Sequence, residues 1–199
     1  MKTEKEKMLS GKPYKAFGNE LLSERQFAKE LIFDFNALRP SEIKKRNNII
    51  QQLFGKTAEP FFIEPPFRCD YGYNIAIGAN FYANYNLTIL DCAKVTFGEN
   101  VFIAPNVSIF TAGHPIHFEA RNQEFEYAIP ISIGNNVWIG GNVVINPGIT
   151  IGDNSVIGAG SIVTKNIPNN VIAFGNPCKI IRNITEEDKN YYFKKLGFV

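Results

Sequence analysis

Between Ile133 and Phe174 the chain repeats every six residues: IGNNVW, IGGNVV, INPGIT, IGDNSV, IGAGSI, VTKNIP, NNVIAF. An aliphatic residue opens six consecutive hexads, at Ile133, Ile139, Ile145, Ile151, Ile157 and Val163, and glycine follows four of these openers. A small or β-branched residue stands four places after each (Val137, Val143, Ile149, Ser155, Ser161, Ile167). A fixed short period dictates architecture before any single helix or strand is assigned. The aliphatic side chains here are Ile and Val without Leu, which favours strands. An ordinary antiparallel sheet would need longer alternating runs joined by hairpin turns. The hexads instead specify a mainly β chain wound as a parallel β-helix, three hexads to a triangular coil, with coils about 4.8 Å apart. Opener and fifth residue point inward, and glycine after the opener fits a corner needing positive φ or close backbone approach.

The rest of the chain bounds this reading. At 199 residues it holds one core with at most a small appended unit. A net charge of +2 gives no nucleic-acid or membrane footprint. Three dispersed cysteines, Cys69, Cys92 and Cys178, form no CxxC pair and argue against a disulfide framework. The opening MKTEKEKMLSGK lacks the apolar run of a signal peptide, so a soluble, cytoplasmic protein is expected.

Residues 1–60 read as helices. Thr3 with Glu6 forms a capping box closed by Gly11; Ser23 with Gln26 opens a second helix carrying Phe27, Leu31 and Phe35 on one face; Ser41 caps a third that ends at Gly55. They are expected to cover an open end of the prism, whose unpaired strand groups would otherwise be exposed. Residues 61–184 form the β-helix, its early openers Ile77, Ala83 and Ile89 followed by two extra residues before Phe97, Ile103 and Ile109. From 111 to 130 the pattern fails, and it resumes at Ile133. A long loop, expected to be structureless, is therefore extruded there, and it holds both histidines, His114 and His117. Residues 185–199 are expected to form a last helix starting at Thr185 with Asp188 and running through Tyr191, Tyr192 and Leu196.

The hexads, the GHP of the loop and the tail GNPCKIIR together resemble the galactoside and maltose O-acetyltransferases of the hexapeptide-repeat superfamily. The likeness spans nearly the whole chain, through TEKEKMLSGKPY, PPFRCDYGYNI and NFYANYNLTILD. CDYGYN is closer to the maltose branch, while GHPIH and YYFK are closer to the galactoside branch. The resemblance implies a left-handed β-helix, an exception to the right-handed crossover rule. It also implies a homotrimer with active sites between subunits, and acetyl transfer from acetyl-CoA to a sugar hydroxyl with no metal and no permanently bound cofactor.

A sugar hydroxyl attacks a thioester only if a base takes its proton, and His114 matches the family's catalytic histidine. The resemblance gives the backbone N–H of Gly141 as the donor to the oxyanion. It gives Asp70, Tyr82, Asn84 and Glu126 as acceptor contacts, side chains suited to paired hydrogen bonds with sugar hydroxyls. Glu126 has a second reading, orienting the His114 ring, and Asn84 a second one as a left-handed corner residue. Coenzyme A brings phosphates, so cations should line its path. Lys165, the one cation of the hexad stretch, with Thr164, Lys179 and Arg182, matches the family's coenzyme contacts, and Ala159 matches a small position beside the pantetheine arm. Trp138 holds the sixth place of its hexad and should face outward, lining the coenzyme groove or a subunit contact.

Galactoside enzymes carry acceptor-binding aspartates where this chain has Ala16 and Cys92, which turns the expected acceptor toward glucose- or maltose-like sugars. The alternatives are another acceptor (a galactoside, an amino sugar, an antibiotic or serine) and a non-catalytic β-helix binding protein. A zinc site of three histidines would have to borrow one across subunits, because the chain has two. A covalent route through Cys69 or Cys92 lacks any activating residue context.

Overall fold

Each hexad supplies one short strand, one inward-facing pair and one corner. Openers and fifth residues are buried as the period requires, from Ile133 and Val137 through Ile145 and Ile149 to Val163 and Ile167. In the computed structural model, which describes residues 2–198, the strands stack in parallel into the three faces of a left-handed β-helix. The first face is a five-stranded sheet of Lys56–Thr57, Ile75–Ile77, Val95–Phe97, Ile131–Ile133 and Thr150–Ile151. The second is seven-stranded, running from Phe61–Ile63 through Phe81–Ala83, Phe102–Ile103, Trp138–Ile139 and Val156–Ile157 to Val171–Phe174 and Lys179–Asn183. The third, five-stranded, comprises Phe67–Cys69, Leu87–Leu90, Ser108–Phe110, Val144–Ile145 and Ile162–Val163. Openers pair with openers one coil away, Ile133 with Ile151, Ile139 with Ile157 and Ile145 with Val163.

The corners decide between the two readings of the second-place glycine. The left-handed conformation falls on the fourth place of the hexad, at Asn80, Asn86, Asn100, Asn106, Asn136, Asn142 and Asn154, with glycine in that place at Gly148 and Gly160, and Asn170 takes the equivalent place in the stack after the phase shifts. Asparagine tolerates this conformation better than other side chains. Asn84 is not among these residues, so its corner reading fails. The second-place glycines serve close approach instead: a Cβ on Gly140 would lie 2.6 Å from the backbone nitrogen of Ala159 in the next coil. Along one corner the amides of Asn80, Asn100, Asn136, Asn154 and Asn170 hydrogen-bond in series at 2.8–2.9 Å.

The N-terminal helices close one end, as expected, with different starts and faces. Helix α1 (Glu4–Leu9) has the predicted capping box of Thr3 and Glu6. Helix α2 (Asn19–Ala37) begins at Gly18 and Asn19, so Ser23 lies inside it. Its buried face is Leu21, Ala28, Ile32 and Phe35, and Phe27 is exposed, because the helix packs on the Phe67–Cys69 strand along a different stripe. Helix α3 (Ile43–Leu53) is preceded by Glu42, with no side-chain cap from Ser41. Asn36 of α2 closes the end strand directly: its Oδ1 accepts from the Phe67 N–H at 2.9 Å and its Nδ2 donates to the Phe67 carbonyl at 3.0 Å. The prism starts earlier than residue 61, since Lys56–Thr57 already pairs with Ile75–Ile77. At the other end Lys179–Asn183 turns back antiparallel on Val171–Phe174. The expected last helix is a 3-10 turn, Glu186–Asn190, followed by a hairpin of Tyr191–Phe193 and Leu196–Gly197. The aromatic run Tyr191, Tyr192 and Phe193 suits a strand better than a helix. No described helix is long and apolar enough to cross a membrane.

The extruded segment leaves the stack intact, because Phe97 pairs with Ile133 and Ile109 with Ile145 across it. It is not structureless. Ala112–Gly113 and Phe125–Ala128 pair antiparallel, a short helix α4 (Phe118–Asn122) fills the turn, and Tyr14–Lys15 adds a third strand. Beneath this sheet lies a second, smaller core that includes Met8, Tyr14, Ala16, Tyr71, Cys92 and Ala128.

If the second-place glycines are fixed by coil-to-coil approach, Gly140→Ala must push two coils apart. The expected loss is about 2 kcal/mol, roughly 4–8 °C in a thermal melt for a chain of this size. An unchanged melting temperature would show that the corner has room to spare.

Candidate active site

Two groups of the expected site residues emerge, and they occupy different corners of the prism. The first surrounds the extruded segment, where the third face turns into the first. His114 directly follows the Ala112–Gly113 strand and is exposed, its Nδ1 lying 3.4 Å from the carbonyl oxygen of Phe125. A carbonyl only accepts, so this contact assigns the ring proton to Nδ1 and leaves the Nε2 lone pair free. Orientation of the ring by Glu126 is therefore corrected: the Phe125 carbonyl takes that place, and the Glu126 carboxylate accepts instead from the Tyr14 hydroxyl at 2.8 Å. His117 caps α4, its Nδ1 accepting from the Glu119 N–H at 3.4 Å.

Asp70 shares this corner. Burial pushes its carboxyl up, and the thiol of Cys92, 3.5 Å from Oδ2, opposes that rise. The turn carrying Asp70 is fixed by Asp91, which sequence reasoning passed over. Fully buried, Asp91 accepts from the N–H groups of Asp70 at 3.0 Å, Tyr71 at 2.9 Å and Gly72 at 2.7 Å. The two extra residues between Ile89 and Phe97 make the room for it, and that phase slip was the available signal. Arg25 of α2 adds a second brace, reaching the Tyr71 hydroxyl at 2.6 Å and the Ala16 carbonyl at 2.7 Å.

The second group lies on the second face and at its junction with the third. Tyr82 stacks outside the second face against Phe62, with ring centroids 6.1 Å apart, and leans on Phe102 at 6.4 Å. Trp138 continues the ladder beside Phe102 and is 54% exposed, facing outward as its hexad place requires. Asn84, at the corner, accepts from the Tyr85 N–H at 2.8 Å. Next along this edge come Gly141 and Ala159. At the neighbouring corner the equivalent N–H groups are consumed by side chains: Glu99 by Asn135, Asn135 by Asp153, and Asp153 by Asn169. Those of Gly141 and Ala159 have no acceptor among the described residues. The equivalent N–H groups of Ala79 and Lys165, at the other two corners, are likewise without an acceptor among the described residues, so Gly141 and Ala159 are two of several exposed corner donors.

The cationic residues divide. Thr164 and Lys165 are exposed where the third face turns into the first, below the extruded segment. Lys179 pairs with Phe174 at the junction of second and third faces. Arg182 is already engaged, its guanidinium forked onto Asp188 at 2.8 and 2.7 Å, which holds the Asp188 carboxyl far below the usual range. Within one chain His114 and Gly141 stand on opposite edges of the third face.

A left-handed prism coiled from hexads, with N-terminal helices capping one end and one segment extruded at a corner, is the architecture of the hexapeptide-repeat acyltransferases. The comparisons agree. The family model described as the maltose acetyltransferase hexapeptide capping motif matches residues 7–58, and the hexapeptide repeat of succinyl-transferase matches residues 130–165. The galactoside O-acetyltransferase of Escherichia coli K12 is 54% identical over 189 residues, 95% of this chain and 93% of its own. A galactoside acetyltransferase in complex with coenzyme A superposes with a TM-score of 0.96 at 52% identity, covering 99% of this chain and 98% of that one. A maltose O-acetyltransferase from Clostridium difficile 630 gives 0.92 at 55% identity, over 93% and 99%. The chain belongs to the galactoside and maltose O-acetyltransferase family and is an O-acetyltransferase.

Burial raises the Asp91 carboxyl to about 6, against the pull of its three N–H partners. The fold therefore holds that proton more tightly than the unfolded chain does. The resulting stabilisation is complete below the ordinary carboxylate range and is lost as pH rises through about 6. Wild type should exceed Asp91→Asn in denaturant stability at pH 5, with the margin narrowing by roughly 1 kcal/mol by pH 8. A margin that widens with pH would reverse the assigned direction.

Proposed function

We propose that the protein transfers acetyl from acetyl-CoA to a hydroxyl of a glucose- or maltose-like sugar, with His114 as general base. The observation that carries this is the exposed His114 ring, tethered through Nδ1 to the Phe125 carbonyl, with Nε2 free of any hydrogen-bond partner among the described residues. The acceptor hydroxyl gives its proton to Nε2 as its oxygen bonds to the thioester carbon. The negative charge that develops on the thioester oxygen needs fixed donors, which the N–H of Gly141 supplies. Collapse breaks the C–S bond, and the imidazolium returns its proton to the departing sulfur.

Because Gly141 and His114 stand on opposite edges of one face, the site closes only when the edge of a second copy is brought against the first. This supports a homotrimer with its sites between subunits. Asp70, Asn84, Tyr82 and Glu126 then contact the acceptor. Lys165, Thr164, Lys179, Trp138 and Ala159 line the coenzyme's path, and Arg182 joins them while still paired with Asp188. The acceptor preference is supported by Ala16 and Cys92, both buried in the small core, which leave no carboxylate at the two positions where galactoside enzymes carry acceptor-binding aspartates.

Release of coenzyme A thiol from acetyl-CoA should be seen with glucose or maltose, ahead of a galactoside, an amino sugar, serine or chloramphenicol. His114→Ala should fold normally and lower that rate by roughly two to four orders of magnitude; retained activity would reassign the base. Lys165→Ala should raise the acetyl-CoA constant by about tenfold, the worth of one charge-assisted contact, while leaving the acceptor constant alone. Equal coenzyme affinity in wild type and variant would remove Lys165 from the donor site. Sedimentation should return three chains, and a monomeric mass would overturn the shared site.

A further inference from the structure

The mechanism makes no use of Tyr14, yet the fold places it with care. Its strand lies along one edge of Phe125–Ala128, and the strand that ends at His114 lies along the other. Tyr14 and Glu126 are direct cross-strand partners although 112 residues separate them, and the hydroxyl meets Glu126 Oε2 at 2.8 Å. The ring is wholly buried in the small core beside Cys92. Burial also pushes the phenol far above its ordinary range, so it remains a neutral donor.

Cys92 does the same for Asp70, its thiol 3.5 Å from Oδ2. The two half-buried carboxylates lie near enough that, beside burial, the Glu126 charge helps to raise the Asp70 carboxyl, and each has one oxygen held by a donor from the small core. The second oxygen of each, Glu126 Oε1 and Asp70 Oδ1, has no hydrogen-bond partner among the described residues. A carboxylate held at one oxygen presents the other in a defined direction, which is what recognition of a sugar hydroxyl requires.

We propose that Tyr14 is a positioning residue of the acceptor pocket: its hydroxyl fixes the Glu126 carboxylate for the sugar, which makes the N-terminal segment a working part of the active site. This rests on the reading of Glu126 as an acceptor contact. A purely structural Tyr14 would act through its ring, whereas a positioning Tyr14 acts through its hydroxyl.

Tyr14→Phe separates the two, since it keeps the ring and removes one oxygen. The acceptor KM should rise by about tenfold, the usual worth of a hydrogen bond to a charged group. The acetyl-CoA KM should stay within about twofold, since the change is remote from the donor corner. In a Glu126→Gln background the same change should add less than about twofold, since the two groups act as one unit. An unmoved acceptor KM, a parallel rise in both constants, or full additivity with Glu126→Gln would each overturn the proposal. Thiol release that depends on His114 alongside an unmoved acceptor KM sinks the role of Tyr14 alone. Release indifferent to His114→Ala sinks the reading beneath it as well.

Discussion

The structure depends on the backbone hydrogen bonds that lock each coil onto the next at the prism corners. There the approach is so close that a side chain as small as alanine does not fit at Gly140. Each turn must also find a residue at ease in the left-handed conformation, which asparagine supplies at eight corners. A narrow core then follows, because the faces are only a few residues wide and admit β-branched or small side chains best. At one corner the N–H groups of Glu99, Asn135 and Asp153 are filled by Asn135, Asp153 and Asn169 of the next coil, which ties the coils together through side chains as well as backbone.

The prism is a rigid frame, and chemistry enters where it is interrupted. One interruption is small: two extra residues before Phe97 admit Asp91, whose carboxylate gathers three backbone N–H groups and sets the turn holding Asp70. The other is the extruded segment, which becomes a three-stranded sheet only because Tyr14–Lys15 joins its edge. His114, Glu126 and Asp70 therefore depend on three distant parts of the chain: the loop, the N-terminal segment and the slipped coil. Such a cluster is preorganised by packing rather than by local sequence.

Much of this was legible in advance. Six in-phase hexads specify the β-helix, its inward positions and the outward face of Trp138, because periodicity records burial directly. The break after Ile109 locates the segment bearing His114. What escaped reading has a physical reason in each case. Glycine after the opener left positive φ and close approach both open; the structure takes close approach, and the left-handed place lies two residues later, where asparagine fills it. Phe27 shares a helical stripe with Phe35, yet α2 meets the prism along Ala28 and Ile32, and a single helix does not announce which flank its partner takes. The last residues have a helix-starting signal at Thr185 that reaches only one 3-10 turn before the aromatic hairpin. The partnership of Tyr14 with Glu126 leaves no local trace, since cross-strand pairing over such a separation is decided by tertiary structure alone.

The extruded segment also has a meaning for how such proteins diversify. It leaves and re-enters at a corner, and the coils on either side keep their register as if nothing intervened. A corner thus accepts this insert without loss of register in the frame. The insert is not independent of the rest, however: its small core is built jointly with the N-terminal segment and the slipped coil. A change of sequence in any one of the three must be answered in the other two.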